Sequence, residues 1–500
     1  MGIELLLDIT SSTAPERVVL GRRSDGLSLE RLSELAVAGA AAIHRSSAKT
    51  VAFLGANGPA FPVAVFAAAR AGVPISPLNY RQSADQLAAL LDRLDEPLII
   101  ADERQRAQLN ALGYSSMLST DEWLSAAGAE TLTPELDDLL PPPDDDSPAV
   151  LLFTSGTTSA PKCVVLRHEH LLAYVLQTVD PASADDSDAA LVSVPPYHIA
   201  GIAAVLTNVY AGRRVLYLPQ FTPADWIDLI SSEEVSSAMV VPTMLARVVE
   251  HFGERIADVP SLRSLAYGGS RLPQPVLERA LKIFPTVDFV NAYGLTETSS
   301  TVAVLGPDDH RAAMETDDPA LRARLSSAGR LVAGVEGQIR SADGAVCGTD
   351  EPGELYVRGP QISGEYVGTG STLDDESWFP TKDRAWFDED GYLFIEGRMD
   401  DTIIRGGENV APAEIEDVLL AHPDVREAAV LGRPDEEWGE RIVAFVVPKQ
   451  FPAPSEAAMR DWVRERLRRS KTPDDVYFRE ELPHTATGKL LRRELLKQIR

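Results

Sequence analysis

Between about residue 30 and residue 240, runs with helical periodicity alternate with apolar runs too short to be helices, and this alternation narrows the fold more than any other feature. Leu27 to Ile43 reads as an Ala/Leu-rich amphipathic helix, and Thr50-Val51-Ala52-Phe53-Leu54 as the strand after it. Phe61 to Ala71 is helical again, and Pro74-Ile75-Ser76-Pro77 opens the next strand. Leu98-Ile99-Ile100-Ala101 and Ala149-Val150-Leu151-Leu152-Phe153 repeat the theme. Strands that alternate with helices favour an α/β architecture with mostly parallel sheets. A proline-rich connector, Pro141 to Asp146, precedes the last of these strands. From about Gly306 to Leu325 the chain is polar and reads as a surface helix with loops. Between Val335 and Ile395 short strands and Gly-rich turns indicate a β-rich subdomain. After Gly397-Arg398-Met399-Asp400-Asp401 a separate small α/β domain begins: Ala413 to Leu420 is helical, Ala428 to Leu431 and Val443 to Val447 are strands, and Ser455 to Arg469 is a helix.

At 500 residues the chain exceeds one ordinary domain, and ~150 residues per domain suggests roughly three units. Its net charge of −28 sets up a field that repels phosphodiester backbones and anionic lipid, which argues against nucleic acid and membrane as partners. An anionic substrate therefore has to be captured by a local nest of N–H donors. Two cysteines, Cys163 and Cys347, exclude a disulfide scaffold or a structural zinc site and fit a reducing cytosol. The apolar run at Met1 to Asp8 is too short and too acidic for a signal sequence. Leu6 breaks the myristoylation pattern, and no apolar stretch approaches the ~20 residues of a membrane span. The expected location is cytoplasmic.

The sharpest local signal is Phe153-Thr154-Ser155-Gly156-Thr157-Thr158-Ser159-Ala160-Pro161-Lys162, directly after an apolar strand. Hydroxyls and backbone N–H groups donate to phosphate oxygens, Gly permits close approach, and Lys supplies charge. The Walker pattern is not met. Taken by composition alone, the segment reads equally well as a Ser/Thr-rich surface turn.

This segment resembles the phosphate loop of the adenylate-forming superfamily: acyl-CoA and aryl-CoA synthetases, luciferases and peptide-synthetase adenylation domains. Further segments resemble that family in order. Val194 to Gly201 is similar to its substrate-pocket histidine motif, and Asn291-Ala292-Tyr293-Gly294-Leu295-Thr296-Glu297-Thr298 to its adenine and magnesium motif. Asp383 with Gly397 to Asp401 is similar to the ribose-binding and hinge region, Gly406 to Glu416 to the loop after the hinge, and Pro483 to Lys489 to the catalytic-lysine segment. In style these motifs are closest to aryl and fatty acid:CoA ligases. The resemblance implies a large N-terminal domain of mixed α/β sheets with a β-rich subdomain (1–399, binding ATP and the acid) and a small mobile C-terminal α/β domain (400–500).

It also implies roles. Lys489 would bridge carboxylate and α-phosphate oxygens, where a cation neutralises developing charge. Thr154, Ser155, Gly156, Thr157, Thr158 and Lys162 would cradle phosphate, with Thr157 counted as catalytic. Glu297 would hold Mg²⁺, a hard oxygen ligand for a hard ion, and Thr298 would touch the α-phosphate. Tyr293 would stack on adenine, with Gly269, Ser270, Asn291, Ala292 and Gly294 around the nucleotide. Asp383, assisted by Arg398, would bind the ribose. His198 would orient the acid in the pocket rather than act as a general base. Val175, Ile199, Thr243, Gly268 and Gly294 would line that pocket, a small, apolar set suited to an aromatic or aliphatic monocarboxylic acid. Asp400 would be the hinge, Gly406 and Gly407 would admit a thiol arm, and Trp438 would stack on the CoA adenine. A lone His168-Glu169-His170 is not a metal site, because neighbours two apart on a helix do not face each other.

Three departures stand out. Ser159 and Cys163 replace glycines of the phosphate loop, and Lys382 replaces the glycine before the ribose aspartate. Ser470-Lys471-Thr472-Pro473-Asp474-Asp475 places two carboxylates where many CoA-using members are basic, with Arg468, Arg469 and Lys471 near enough to compensate. The readings that follow are an acid:CoA ligase, or a stand-alone ligase whose adenylate is taken by an amine, a hydroxyl or a carrier-protein thiol. A non-catalytic nucleotide-binding protein would lack Lys489, Glu297 or Asp383, and all three are present. Oligomeric state is not legible.

Overall fold

The computed structural model describes residues 1–129, 144, 146–154, 161–405, 408–435, 438–485 and 489–499. The connector residues 141–143 and 145 therefore lie outside the described residues. The first helix expected from sequence starts two residues late, at Leu29, and runs to Ser46. Leu27–Ser28 is instead a short strand paired with Val18–Leu20, and Ser28 turns it into the helix by accepting a hydrogen bond from the Arg31 N–H, as an N-cap serine does.

Among the described residues the strands form four sheets. The first has a parallel centre made by 214–217, 189–192, 237–240, 264–268 and 288–295. Antiparallel strands 300–305 and 330–331 extend it at one edge. The second has parallel strands 75–77, 50–54, 97–101 and 117–119. The antiparallel pair 148–154 and 162–167 extends that sheet. A third, wholly antiparallel sheet is built from 336–340, 353–358, 379–387 and 393–398. The fourth belongs to the smaller C-terminal unit: 403–405, 408–410, 425–435 and 439–448 are antiparallel, and 475–478 joins in parallel. The architecture is thus mixed α/β, parallel where the sequence alternates strand and helix and antiparallel where it runs through short strands and Gly turns.

The two large sheets share one core. Val51, Ile75 and Val150 from one and Val19, Val192 and Val215 from the other meet around the helix Ala60–Arg70, which is buried from Ala60 to Ala69. A helix apolar all round belongs inside a protein, and each fully buried Val, Ile or Phe there is worth ~1.5–3 kcal/mol. A separate core around Val302, Leu355, Phe379 and Leu393, with Tyr293 packed against it, holds the strands that carry the site. In the C-terminal unit the expected helix from Ser455 to Arg469 is shorter: Ser455 caps it and it ends at Arg464. Leu467 packs against the local core and Arg468 turns extended (ψ 149°), so the arginine run continues into a separate 3₁₀ turn, Arg469–Lys471.

Candidate active site

Three of the four sheets are joined here by the side-chain contacts of Tyr293 with Asp383 and of Tyr366 with Glu297. Strand 288–295 carries Tyr293, and strands 379–387 and 393–398 carry Asp383 and Arg398 as direct cross-strand partners. The Tyr293 hydroxyl donates to Asp383 Oδ2 at 2.5 Å. Arg398 Nη1 donates to Asp383 Oδ1 and to the Thr381 carbonyl, both at 3.0 Å. Asp383 is only 4% exposed, so both of its oxygens are held by side chains of this chain. Burial, then the Asp383 carboxylate, raises the Tyr293 phenol well above its ordinary pKa, which keeps it a donor. Lys382 adopts φ 63°, the left-handed region that glycine occupies without a steric penalty. The lysine found in place of glycine therefore keeps the glycine backbone, and its ammonium lies 3.1 Å from Glu354.

After Tyr293 the chain must pass close to its neighbour. A Cβ on Gly294 would stand 1.8 Å from the Ser300 carbonyl oxygen, and one on Gly268 2.2 Å from that of Ala292. No larger residue fits either place. The tight passage delivers the 3₁₀ turn Thr296–Thr298. There the Glu297 carbonyl accepts from the Ser363 and Gly364 N–H groups at 2.9 and 3.3 Å, and Glu297 Oε1 accepts from the Tyr366 hydroxyl at 2.7 Å. Thr298 corrects the sequence expectation. It is fully buried, and its hydroxyl sits among Leu295 N, Leu295 O and Ser300 O, which leaves it no free donor for phosphate. Thr296 is the hydroxyl of this turn that is not fully buried.

Lys489 comes from the C-terminal unit. Its N–H donates to Thr485 Oγ1 at 3.0 Å and its carbonyl accepts from the Thr485 N–H at 2.7 Å, so Thr485 and Lys489 hold each other. The residue as a whole is exposed, yet protein crowds its ammonium: desolvation first, then the Arg398 charge, lower its pKa, opposed by Asp401, Asp383 and Glu297. On the other side His198 caps the helix Ile199–Ala211, its ring 5.2 Å from that of Tyr197. Desolvation, then Lys489, pull His198 down to about 4. Lys489 is therefore within electrostatic reach of His198, Glu297, Asp383 and Arg398 at once.

The remaining predicted residues fall around this centre or away from it. Thr154 and Lys162 face each other at the end of the 148–154/162–167 pair, and Lys162 Nζ lies 5.1 Å from the Tyr366 ring centre. Ser155, Gly156, Thr157, Thr158 and Ser159 lie outside the described residues, as do Gly406 and Gly407. Gly269 (φ 86°) and Ser270 follow strand 264–268. Asn291 spends its amide on the Ser327 carbonyl at 3.0 Å, and Ala292 pairs with Gly268. Val175 is a fully buried member of the shared core, while Ile199 and Thr243 begin the helices Ile199–Ala211 and Pro242–Phe252. Asp400 is exposed in the turn Met399–Asp401. Cys163 is buried, its thiol pushed up to about 11 by desolvation, so it stays protonated and unreactive. His168 accepts the Ile3 N–H at 3.0 Å, a structural contact.

The acidic pair needs a second correction. Asp474 is bound by Arg405 at 2.8 Å and accepts the Ile442 N–H at 2.9 Å, and Asp475 is bound by Arg433 at 2.7 Å. Lys471 does not compensate them, because it pairs with Glu414 at 2.5 Å. Arg405 also lies 5.5 Å from the exposed Trp438 ring. Neither Arg405 nor Tyr366 was singled out from sequence; their partners are 69 residues away in the chain, and no local pattern announces them.

The His198 shift has a measurable sign. Its folded pKa of about 4 lies below the ordinary 6.5, so between those values the unfolded chain binds the proton first. Stability then falls as pH drops from 6.5 towards 4, by up to ~3 kcal/mol at ~1.36 kcal/mol per pKa unit. Denaturant midpoints at pH 7 and pH 4 should differ less in His198→Gln than in the parent. Equal pH dependence in both would mean that His198 is not held neutral.

The AMP-binding enzyme family matches residues 7–367, and the AMP-binding enzyme C-terminal domain matches residues 414–489. A fatty acid–[acyl-carrier-protein] ligase of Streptomyces coeruleorubidus is 33% identical over 89% of this chain and 86% of its own length. An indoleacetate–CoA ligase of Aromatoleum aromaticum is 31% identical over 98% and 95%. The solved o-succinylbenzoate CoA synthetase of Bacillus subtilis, in complex with its acyl-adenylate intermediate, superposes with a TM-score of 0.84 at 28% identity, covering 98% of this chain and 97% of that one. No helix among the described residues is long and apolar enough to cross a membrane.

Proposed function

From its membership of the AMP-binding enzyme family, in which this chain is an ATP-dependent adenylate-forming ligase, we propose that it activates a monocarboxylic acid as its acyl-adenylate in the cleft around Tyr293, Asp383 and Lys489 and then transfers the acyl group to CoA. The observation that carries this reading is the joining of Tyr293 and Arg398 on the buried Asp383 carboxylate, with Lys489, from the far end of the chain, close enough for the Arg398, Asp383 and Glu297 charges to act on it. In the first step a carboxylate oxygen attacks the α-phosphorus and pyrophosphate leaves. Charge accumulates on the phosphoryl oxygens, where a positioned cation lowers the barrier most. Lys489 supplies that cation, Asp383 receives the ribose hydroxyls, and the ring of Tyr293 receives adenine. His198, neutral at pH 7, orients the acid without competing for its charge.

Glu297 is suited to Mg²⁺. Its Oε1 is held by Tyr366, and Oε2 has no hydrogen-bond partner among the described residues. One carboxylate with the substrate's phosphates is the usual magnesium donor set, and the ion would neutralise phosphate charge. In the second step the C-terminal unit would rotate about Asp400, an exposed position between two sheets that can absorb a large backbone change. Gly406, Gly407 and Trp438 would then meet the CoA arm. The pairing of Asp474 and Asp475 with arginines supports CoA as acceptor, because those carboxylates no longer present bare charge to its phosphates. A carrier-protein thiol is the second reading, favoured by the likeness to the carrier-protein ligase.

The test is mass spectrometry of products formed from ATP, Mg²⁺ and a panel of aryl and fatty acids, with and without CoA. Catalytic formation of a CoA thioester is the expected result. Acyl-adenylate that accumulates unchanged beside CoA would reject CoA and leave the adenylating step intact.

A further inference from the structure

The segment 363–366 touches both halves of the nucleotide site, although nothing in its sequence suggests that it does. Its Ser363 and Gly364 N–H groups donate to the Glu297 carbonyl, and the Tyr366 hydroxyl donates to Glu297 Oε1 at 2.7 Å. On its other edge Glu365 and Tyr366 pair with Val165 and Val164, three and two residues beyond the lysine that closes the phosphate loop. Arg167 clamps that pairing through two bonds to Glu365 at 2.8 and 2.9 Å, and the Ser363 hydroxyl donates to the Val165 carbonyl. The Tyr366 ring meanwhile lies under Lys162 Nζ at 5.1 Å.

We propose that Tyr366 is a positioning residue for the divalent cation and the nucleotide: its hydroxyl fixes the Glu297 carboxylate with Oε2 free for the metal, and its ring steers Lys162 towards the phosphates. The inference rests on the reading of Glu297 as the metal carboxylate. The physical basis is the cost of freedom. A glutamate has three side-chain torsions to restrain, and a hydrogen bond to a charged group in a part-buried site restrains them strongly. A cation held over an aromatic face is oriented in the same way. Two functions on one side chain predict two separable defects.

Binding of Mn²⁺ to the enzyme with a non-hydrolysable ATP analogue, followed by electron paramagnetic resonance, reads the first. Tyr366→Phe removes only the hydroxyl and should weaken Mn²⁺ binding about tenfold, while metal-free binding of the analogue stays unchanged. Tyr366→Leu also removes the ring and should weaken metal-free binding about threefold as well. Unchanged Mn²⁺ affinity in Tyr366→Phe overturns the proposal, even if activity or melting temperature falls. Glu297→Gln separates the two layers. If it weakens Mn²⁺ binding and Tyr366→Phe does not, only the role of Tyr366 fails. If Glu297→Gln leaves Mn²⁺ binding intact, the metal reading of Glu297 fails first.

Discussion

Lys489→Ala should slow adenylation, measured as acid-dependent ATP–pyrophosphate exchange, by about 10²–10³-fold, the scale of removing one preorganised group from a charge-stabilising site. Transfer of the acyl group from a supplied acyl-adenylate should remain near the parent rate. The split is the informative part, because it follows from where the lysine sits. Lys489 is tied to Thr485 of the C-terminal unit, while the charges it senses, Arg398, Asp383 and Glu297, belong to the larger unit. An interaction that exists only when the two units meet in this way serves only the step catalysed in this arrangement. Equal loss in both half-reactions would reject the two-arrangement account. The pH profile adds an independent sign. Because desolvation and Arg398 lower the lysine pKa, exchange should begin to fall at a lower pH than an ordinary lysine would give, and Lys489→Arg, which cannot lose its proton, should abolish that limb even at reduced rate.

Much of this is legible in the sequence alone, and the reasons are local. Alternating periodicity marks the parallel strands 50–54, 75–77 and 97–101 because each is a short apolar run bounded by turns. Gly268 and Gly294 read as pocket residues from the resemblance alone, and the neighbouring backbone that excludes a Cβ there shows only in the fold. What stayed hidden depends on partners distant in sequence. The commitment of Thr298 to the backbone is invisible because the same Thr-Glu-Thr triplet offers two hydroxyls, and only the fold decides which one is buried. The acidic pair Asp474 and Asp475 reads as repulsive in one dimension and as neutralised once Arg405 and Arg433 are placed beside it. Tyr366 lies in a Gly-rich stretch with no periodicity, and its bond to Glu297 spans 69 residues.

Asp383→Ala should have the largest effect on nucleotide binding. The carboxylate is 4% exposed and is the shared acceptor of Tyr293 and Arg398, so alanine removes a ribose acceptor and strands two donors. A hydrogen bond to a charged group is worth ~1.5–3 kcal/mol. Losing two ribose contacts therefore predicts a rise in the ATP dissociation constant of about 10²-fold or more, read by calorimetry without acid. Stability should also fall, since leaving the buried Tyr293 hydroxyl without its acceptor costs ~1–3 kcal/mol. The Arg398 share is smaller, because its side chain is 37% exposed and water can replace part of the pair. Asp383→Asn distinguishes the two losses. It keeps shape and one acceptor oxygen for Tyr293, so melting should recover more than ATP affinity does. If ATP binds Asp383→Ala as tightly as the parent, Asp383 is only the brace that joins Tyr293 to Arg398, and the ribose must be held elsewhere in the cleft.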